Sequence, residues 1–290
     1  MAGVAMASVI PQVPQALEAR QGPNTVYDQY PNDQTAALNL TAWFAPAPKA
    51  QVQKLVGSRT LLRPTDLPKG FKLGADEHPL LFISGYFTDI RQYNALSIPQ
   101  LSVQHLYIPY TQGVESSSTP FSYHVKTYFD QLIPSLVGTL LQDSNSYPAN
   151  FDPPHAAFKP IGTSSYTFNV DVGLLNVIDG PGITTPAFIS YFERSKDTSL
   201  TIDYLKSVLN QPVIRTSSNS CNKIIYSFNE PFADPFTVKG SLKSGAVLSG
   251  SALSFSNIEG FSGTAQIGGP KRAPLRKKEF IADTLGTEIS

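Results

Sequence analysis

Short apolar runs with a two-residue alternation dominate the chain from about residue 38 onward, and Gly, Pro, Asn and Ser bound them. In one run Leu101, Val103, His105 and Tyr107 share a face, as expected of a half-buried strand. The pattern predicts ten strands: Leu38–Phe44, Leu80–Phe87, Leu101–Tyr110, Phe121–Phe129, Ser165–Gly173, Ala187–Glu193, Lys223–Phe228, Phe236–Leu242, Ala246–Phe255 and Gly263–Ile267.

Helical periodicity occurs in two places. Pro48–Val56 starts at a proline and is followed by Gly57, and Thr198–Leu209 starts at a threonine and precedes Pro212. The pattern therefore predicts an α+β fold, in which a mainly antiparallel sheet closes into a barrel or cone-like core with a few packed helices. Leu80–Ile83 is apolar on both faces, which predicts a central strand.

The domain organisation follows from composition along the chain. Residues 1–35, rich in Pro, Gln, Asn and Asp, predict an extended N-terminal arm, residues 36–268 a single β domain, and residues 269–290 a basic C-terminal tail. The proline-rich segment Gln142–Gly162 is predicted to be a loop, either a solvated excursion or the rim of an active site.

Charge and cysteine content exclude several function classes. The 22 Lys and Arg balance 22 Asp and Glu, so no net positive field favours nucleic acid. Cys221 is the single cysteine and the four histidines lack ligand spacing, so we expect no disulfide, no metal and no cofactor. No window approaches the ~20 apolar residues of a membrane helix. We therefore expect a soluble, cytoplasmic protein without membrane contact.

Several segments resemble the acetoacetate decarboxylase superfamily over approximately residues 38–255. They are the opening strand Leu40–Phe44, the helix Ala50–Val56 with Leu62-Arg-Pro64 after it, the stretch Tyr128–Gly138, and the aromatic-Pro step Tyr147-Pro148. The resemblance implies the fold of that family and an enclosed apolar pocket.

The catalytic positions of the family are not kept. The resemblance implies two adjacent lysines after the aromatic-Pro step, the first forming a Schiff base and the second lowering the pKa of the first. Ala149 and Asn150 stand there, and neither can form an imine. Thr139 replaces the family's Arg, and no carboxylate stands near 91–95, where its pocket Glu is expected. The fold inference survives these departures, and the decarboxylase inference does not.

Polar residues on apolar strands and at the family's site positions are the candidates for chemistry. His105 is either a general acid or base or a core histidine bonded to backbone, and Tyr147 and Asn150 are candidate hydrogen-bond donors to a carbonyl. His124 and Lys126 are placed on one face of their strand, either a pocket face or a solvated one. The candidate substrate-binding residues are Arg91, Tyr93, Asn94, Tyr107, His124, Lys126 and Tyr128.

These features support three hypotheses of function. The first is a non-decarboxylating enzyme of secondary metabolism that binds a small hydrophobic substrate, a polyketide- or terpenoid-type intermediate, and promotes cyclisation, isomerisation or dehydration by positioning and hydrogen bonding. The alternative is a carrier that uses the same cavity. The second alternative is a decarboxylase with a relocated lysine. A homo-oligomer is compatible with all three.

Overall fold

Fifteen strands form one mainly antiparallel sheet in the computed structural model, which describes residues 22–92, 96–113, 118–131, 145–173, 184–215, 220–229, 231–269 and 273–274. The strands are Gln34–Pro48 (β1), Glu77–Gln92 (β2), Leu96–Gln112 (β3), Pro120–Phe129 (β4), Ser146–Pro148 (β5), Asn150–Asp152 (β6), Lys159–Ile161 (β7), Ser165–Gly173 (β8), Thr184–Arg194 (β9), Val213–Ile214 (β10), Ser220–Asn222 (β11), Ile225–Ser227 (β12), Phe236–Ser244 (β13), Leu253–Gly269 (β14) and Ala273–Pro274 (β15). The helices are Lys49–Val56 (α1), Ile202–Leu209 (α2) and Ala246–Ser249 (α3).

The predicted α+β class with a mainly antiparallel sheet is confirmed, but closure of the sheet is not. The described strands follow the open order β15-β11-β10-β4-β3-β2-β1-β14-β13-β9-β8-β6. The strands at the two ends contain only two or three residues, which offer too few backbone groups to pair across a barrel seam. Most neighbours are antiparallel, and β4 pairs in parallel with β5 and β10.

The two predicted helices form, although the second begins only at Ile202, with Thr201 in place of Thr198 at its N-terminus. One predicted strand is partly wrong. Within Ala246–Phe255 the first four residues form α3, and the strand begins only at Leu253. Gly245 precedes α3, and Gly250 ends it with a φ of +73°, a left-handed conformation that glycine adopts without strain. No helix in the described part of the chain is both long and apolar enough to cross a membrane.

The proline-rich segment Gln142–Gly162, predicted to be a loop, contains the three short strands β5, β6 and β7. Residues 22–33, at the end of the predicted arm, form turns in which the Asn24 side chain donates to the Thr35 hydroxyl at 3.0 Å and to the Asp89 carbonyl at 2.9 Å. Residues 1–21, 270–272 and 275–290 of the predicted arm and tail lie outside the described residues. The division into arm, domain and tail stays a prediction.

Two apolar clusters cover the two faces of the sheet, because successive side chains of each strand point to opposite faces. One packs under α1 and contains Trp43, Leu80 and Phe82, and we call this side the α1 face. The other packs under α2 and contains residues such as Phe44 and Ile83, and we call it the α2 face. β2 contributes to both clusters and lies between β1 and β3, so the central strand predicted from Leu80–Ile83 is confirmed.

Glycine at position 260 is required by the close approach of β14 to β1. A Cβ on Gly260 would lie 2.2 Å from the Ala42 carbonyl oxygen and 3.0 Å from the Trp43 ring. We expect Gly260→Ala to lower the free energy of unfolding by about 1–3 kcal/mol, because the backbone must move to relieve the overlap. Gly268→Ala on the same strand is the matched control, since no atom lies within 4 Å of the added carbon. Equal urea midpoints for the two variants would contradict this explanation.

Candidate functional site

A bulge in β4 decides which polar side chains meet. Leu106 of β3 pairs with Lys126, whereas Tyr107 pairs with His124, so Val125 is an extra residue on β4. Neighbouring residues of β3 point to opposite faces. Lys126 therefore lies on the α1 face and His124 on the α2 face. The prediction that His124 and Lys126 share a face is wrong, because the extra residue reverses the alternation between them.

On the α1 face, Lys126 and Tyr128 share one backbone carbonyl and Tyr147 lies beside them, and we call this group the Lys126 site. Lys126 Nζ and the Tyr128 hydroxyl both donate to the Val247 oxygen, the latter at 2.8 Å. Lys126 Nζ also lies 5.2 Å from the centre of the Tyr147 ring, which is 6.3 Å from the Tyr128 ring. Val247 belongs to the four-residue helix α3, in which the Gly250 N–H closes the last turn onto the Ala246 carbonyl. A cation is a favourable neighbour for the Val247 carbonyl near this helix end.

Two opposing influences act on the Lys126 amine. Burial of the half-buried side chain lowers the pKa of Lys126, because water stabilises the charged form less there. The carbonyl and the aromatic ring favour the ammonium form, since the first needs an N–H donor and the second a positive charge. Burial, followed by the neighbouring Tyr147, raises the pKa of Tyr128, which keeps that phenol a donor. The site thus presents two hydrogen-bond donors in partly desolvated surroundings.

An apolar groove of about 440 Å³ adjoins α3. It reaches Gly245, the residue directly before the helix that carries the Val247 carbonyl. The lining residues are Pro186, Phe188, Ile189, Lys243, Ser244, Gly245, Ala252, Leu253 and Ser254. A groove with this lining suits a mostly apolar organic molecule.

On the α2 face, two histidines share one hydroxyl. His105 Nδ1 and His124 Nε2 each lie 2.7 Å from Thr127 Oγ1, so the hydroxyl donates to one ring and accepts from the other. The Tyr107 ring contacts both imidazoles. Burial lowers the pKa of His105 to about 3 and that of His124 well below its usual value, and the Arg215 guanidinium acts in the same direction. Both rings are therefore neutral near pH 7.

Arg215 lies in the same buried region. Its Nη2 lies 2.7 Å from the Asn222 side-chain amide, which accepts through its oxygen. Burial raises the pKa of Tyr107 to about 12, and Arg215 opposes this shift. This cluster is sealed from solvent, since His105, His124, Tyr107 and Arg215 are all buried. Its arrangement is that of a neutral hydrogen-bonded network inside a core.

The remaining predicted site residues are dispersed. Asn150 lies on β6 opposite Asp171, and its amide nitrogen is buried without a hydrogen-bond partner in the described part of the chain. Arg91 pairs with Asp89 and lies 5.2 Å from the centre of the Tyr27 ring. Tyr93 and Asn94 lie outside the described residues.

The structure brings Lys126, Tyr128 and Tyr147 together and separates them from His105, Tyr107 and His124 by the thickness of the sheet. Sequence reasoning missed the Val247 carbonyl, for which no side-chain signal exists. It also missed Arg215, although a cation directly after the apolar pair Val213-Ile214 is a detectable signal. Across the described ranges, no three His, Cys, Asp or Glu side chains lie close enough to hold a metal ion.

Comparison with known proteins gives matches by structure. No family model and no curated protein matches the chain by sequence. The enduracididine biosynthesis enzyme MppR complexed with pyruvate aligns with a TM-score of 0.53 and 10% identity, covering 84% of this chain and 90% of that chain. An acetoacetate decarboxylase-like enzyme from Sphingomonas wittichii RW1 aligns with a TM-score of 0.51 and 10% identity, covering 83% and 92%.

A structure described as acetoacetate decarboxylase aligns with a TM-score of 0.50 and 10% identity, covering 83% of this chain and 88% of that chain. These structural neighbours are enzymes, and each alignment spans most of both chains. The alignments agree with the resemblance seen in the sequence. The chain has the acetoacetate decarboxylase-like fold.

Proposed function

We propose that this chain is an enzyme of secondary metabolism that binds a small hydrophobic carbonyl compound, of polyketide or terpenoid type, at the Lys126 site. It promotes cyclisation, isomerisation or dehydration without forming a covalent bond to the substrate. The observation that carries this proposal is the pair of donors, Lys126 Nζ and the Tyr128 hydroxyl, held on one carbonyl beside an apolar groove.

The chemistry follows from what such donors do to a carbonyl group. A substrate oxygen that displaces the Val247 carbonyl from Lys126 and Tyr128 would accept the same two hydrogen bonds. Negative charge develops on that oxygen during enolisation or ring closure, and preorganised donors in a desolvated site stabilise it. The apolar groove beside α3 would hold the carbon chain. A structural neighbour complexed with pyruvate, a ketone-containing ligand, supports a carbonyl compound as the substrate class.

A specific observation also favours a second candidate, a decarboxylase with a relocated lysine. Burial lowers the pKa of Lys126, which makes the free amine needed for an imine more available. Desolvation is the cause of that shift, and no cation among the described residues adds to it. The contacts with Val247 and Tyr147 favour the ammonium form, so the non-covalent mechanism is the better supported of the two.

The proposal is tested by incubating the protein with a 3,5-diketo thioester of N-acetylcysteamine and following cyclised and dehydrated products by mass spectrometry. We expect the protein to accelerate product formation over buffer. Binding of the thioester without acceleration would support the carrier instead. Absence of both binding and acceleration would contradict enzyme and carrier alike.

A further inference from the structure

A carboxylate and an imidazole meet at the end of β4, outside the Lys126 site. Asp130 directly follows the strand, and one of its oxygens, Oδ1, accepts the Ser102 backbone N–H at 3.0 Å. The other oxygen, Oδ2, is buried, makes no hydrogen bond within the described residues and lies at an ion-pair distance of 3.3 Å from Nδ1 of His155. Burial raises the pKa of Asp130, and the Ser102 N–H and His155 oppose that rise. The Asp130 carboxylate is therefore held in place by the sheet, through the Ser102 N–H.

The His155 ring lies beside Asp130 on its Nδ1 edge, and its side chain is 53% exposed. The ring packs 6.4 Å from the ring of Tyr86, a residue of the α1 face. His155 has a φ of +55°, which is uncommon for a residue other than glycine and is found where surrounding structure imposes it. The imidazole thus lies beside the Asp130 carboxylate, and about half of its side chain is open to solvent.

The position of this pair relates it to the Lys126 site. Lys126 and Tyr128 point to the same side of β4, and Asp130 lies in the bend directly after that strand. The Ala149 N–H donates to the Phe129 carbonyl at 2.8 Å, which joins the end of β4 to the segment that carries Tyr147. Both groups therefore border the α1 face at the same end of the sheet.

We propose that His155 is a general acid and base, oriented by Asp130, that removes a proton from the carbon next to a ketone carbonyl. This inference rests on the proposed function and deepens it, because it names the substrate class as a ketone with an acidic α C–H bond. The C–H bond breaks, its electron pair forms the enolate, and the proton bonds to His155 Nε2. Return of a proton from the imidazolium to carbon or oxygen completes the step and restores the neutral ring.

Because of the geometry at Asp130, an amide in its place would have a different effect on the protonation of the His155 ring. Because the Ser102 N–H holds one side-chain oxygen, Asp130→Asn would keep that oxygen in place and turn its NH₂ group toward His155 Nδ1. Nδ1 would then have to accept, and the proton would move to Nε2. A ring protonated at Nε2 cannot act as a base through that atom, so the substitution disables it without removing it.

The experiment measures hydrogen–deuterium exchange at the α carbons of 2-nonanone in D₂O, followed by mass spectrometry. We expect wild type to catalyse exchange, and Asp130→Asn and His155→Ala to lower the rate by about 10²-fold or more. The matched control is Asp152→Asn, which breaks the exposed ion pair with Lys159 but does not contact His155. It should exchange at the wild-type rate. Binding of 2-nonanone, measured by calorimetry, should be unchanged in all three variants.

The ¹⁵N shifts of His155 provide a readout that a purely structural role of Asp130 would not produce. We expect the neutral wild-type ring to carry its proton on Nδ1, and that of Asp130→Asn to carry it on Nε2. Any one of three results would overturn the His155 assignment and leave the proposed function standing. These results are wild-type exchange rates in both variants, a wild-type ring protonated at Nε2, and binding of the ketone without exchange. Failure of wild type to bind 2-nonanone would overturn both.

Discussion

Replacing Lys126 by methionine is expected to lower kcat for the diketo thioester by about 10²–10³-fold, the loss typical of removing one donor to a developing oxyanion. Methionine matches the length and flexibility of the lysine stem but offers neither charge nor N–H donor. The Val247 carbonyl keeps its bond from the Tyr128 hydroxyl, so the local fold of α3 should persist. The change is therefore expected to affect the reaction and not the free energy of unfolding.

Lys223→Met is the matched control for that prediction. Burial also lowers the pKa of Lys223, but this residue contacts neither Val247 nor Tyr147. We expect its kcat to stay at the wild-type value. A Lys126→Met variant with kcat within about threefold of wild type would show that the Lys126 amine does not act on the carbonyl.

Acidification from pH 7.5 to pH 5 is expected to lower the free energy of unfolding by about 4 kcal/mol through His78 and His105 alone. Burial lowers the pKa of His78 to about 4 and that of His105 to about 3, against an ordinary value of 6.5. Between these folded values and 6.5 the unfolded chain binds more protons than the folded one, so stability falls as pH falls. Each histidine contributes about 2 kcal/mol at pH 5, and His124 adds to the same trend.

Urea unfolding at the two pH values checks this prediction, and His78→Gln isolates one part of it. His78 Nε2 lies 2.8 Å from the Pro109 carbonyl oxygen, and a glutamine amide can supply a non-titrating donor there. The difference in the free energy of unfolding between pH 7.5 and pH 5 should be about 2 kcal/mol smaller in this variant than in wild type. Equal stability of wild type at both pH values would mean that the buried histidines are not held neutral.

Strand positions were predictable from the sequence because each strand buries alternate residues and is punctuated by Gly, Pro, Asn and Ser. Leu80–Ile83 shows this well, since its two-sided apolar character required a place between two other strands. Ala246–Ser249 was misassigned because a short apolar run does not reveal its period. Closure of the sheet was not predictable, since it depends on how long the terminal strands are and which of them pair.

The candidate site was predictable only in part. Tyr147 was found from the aromatic-Pro step, and Lys126 and Tyr128 from polar positions on an apolar strand. The bulge at Val125 could not be read from the sequence, and it decides that Lys126 and His124 act in separate surroundings. Asp130 and His155 are 25 positions apart, and only the packing of the loop after β6 brings them together.

In the proposed mechanism, Lys126 acts on a carbonyl through hydrogen bonding and not through an imine. Borohydride reduction in the presence of acetoacetate, followed by intact mass measurement and peptide mapping of the protein, distinguishes the two. The non-covalent mechanism predicts an unchanged mass at ligand concentrations that saturate binding. A reduced adduct mapped to Lys126 would contradict it and assign the chain to imine chemistry.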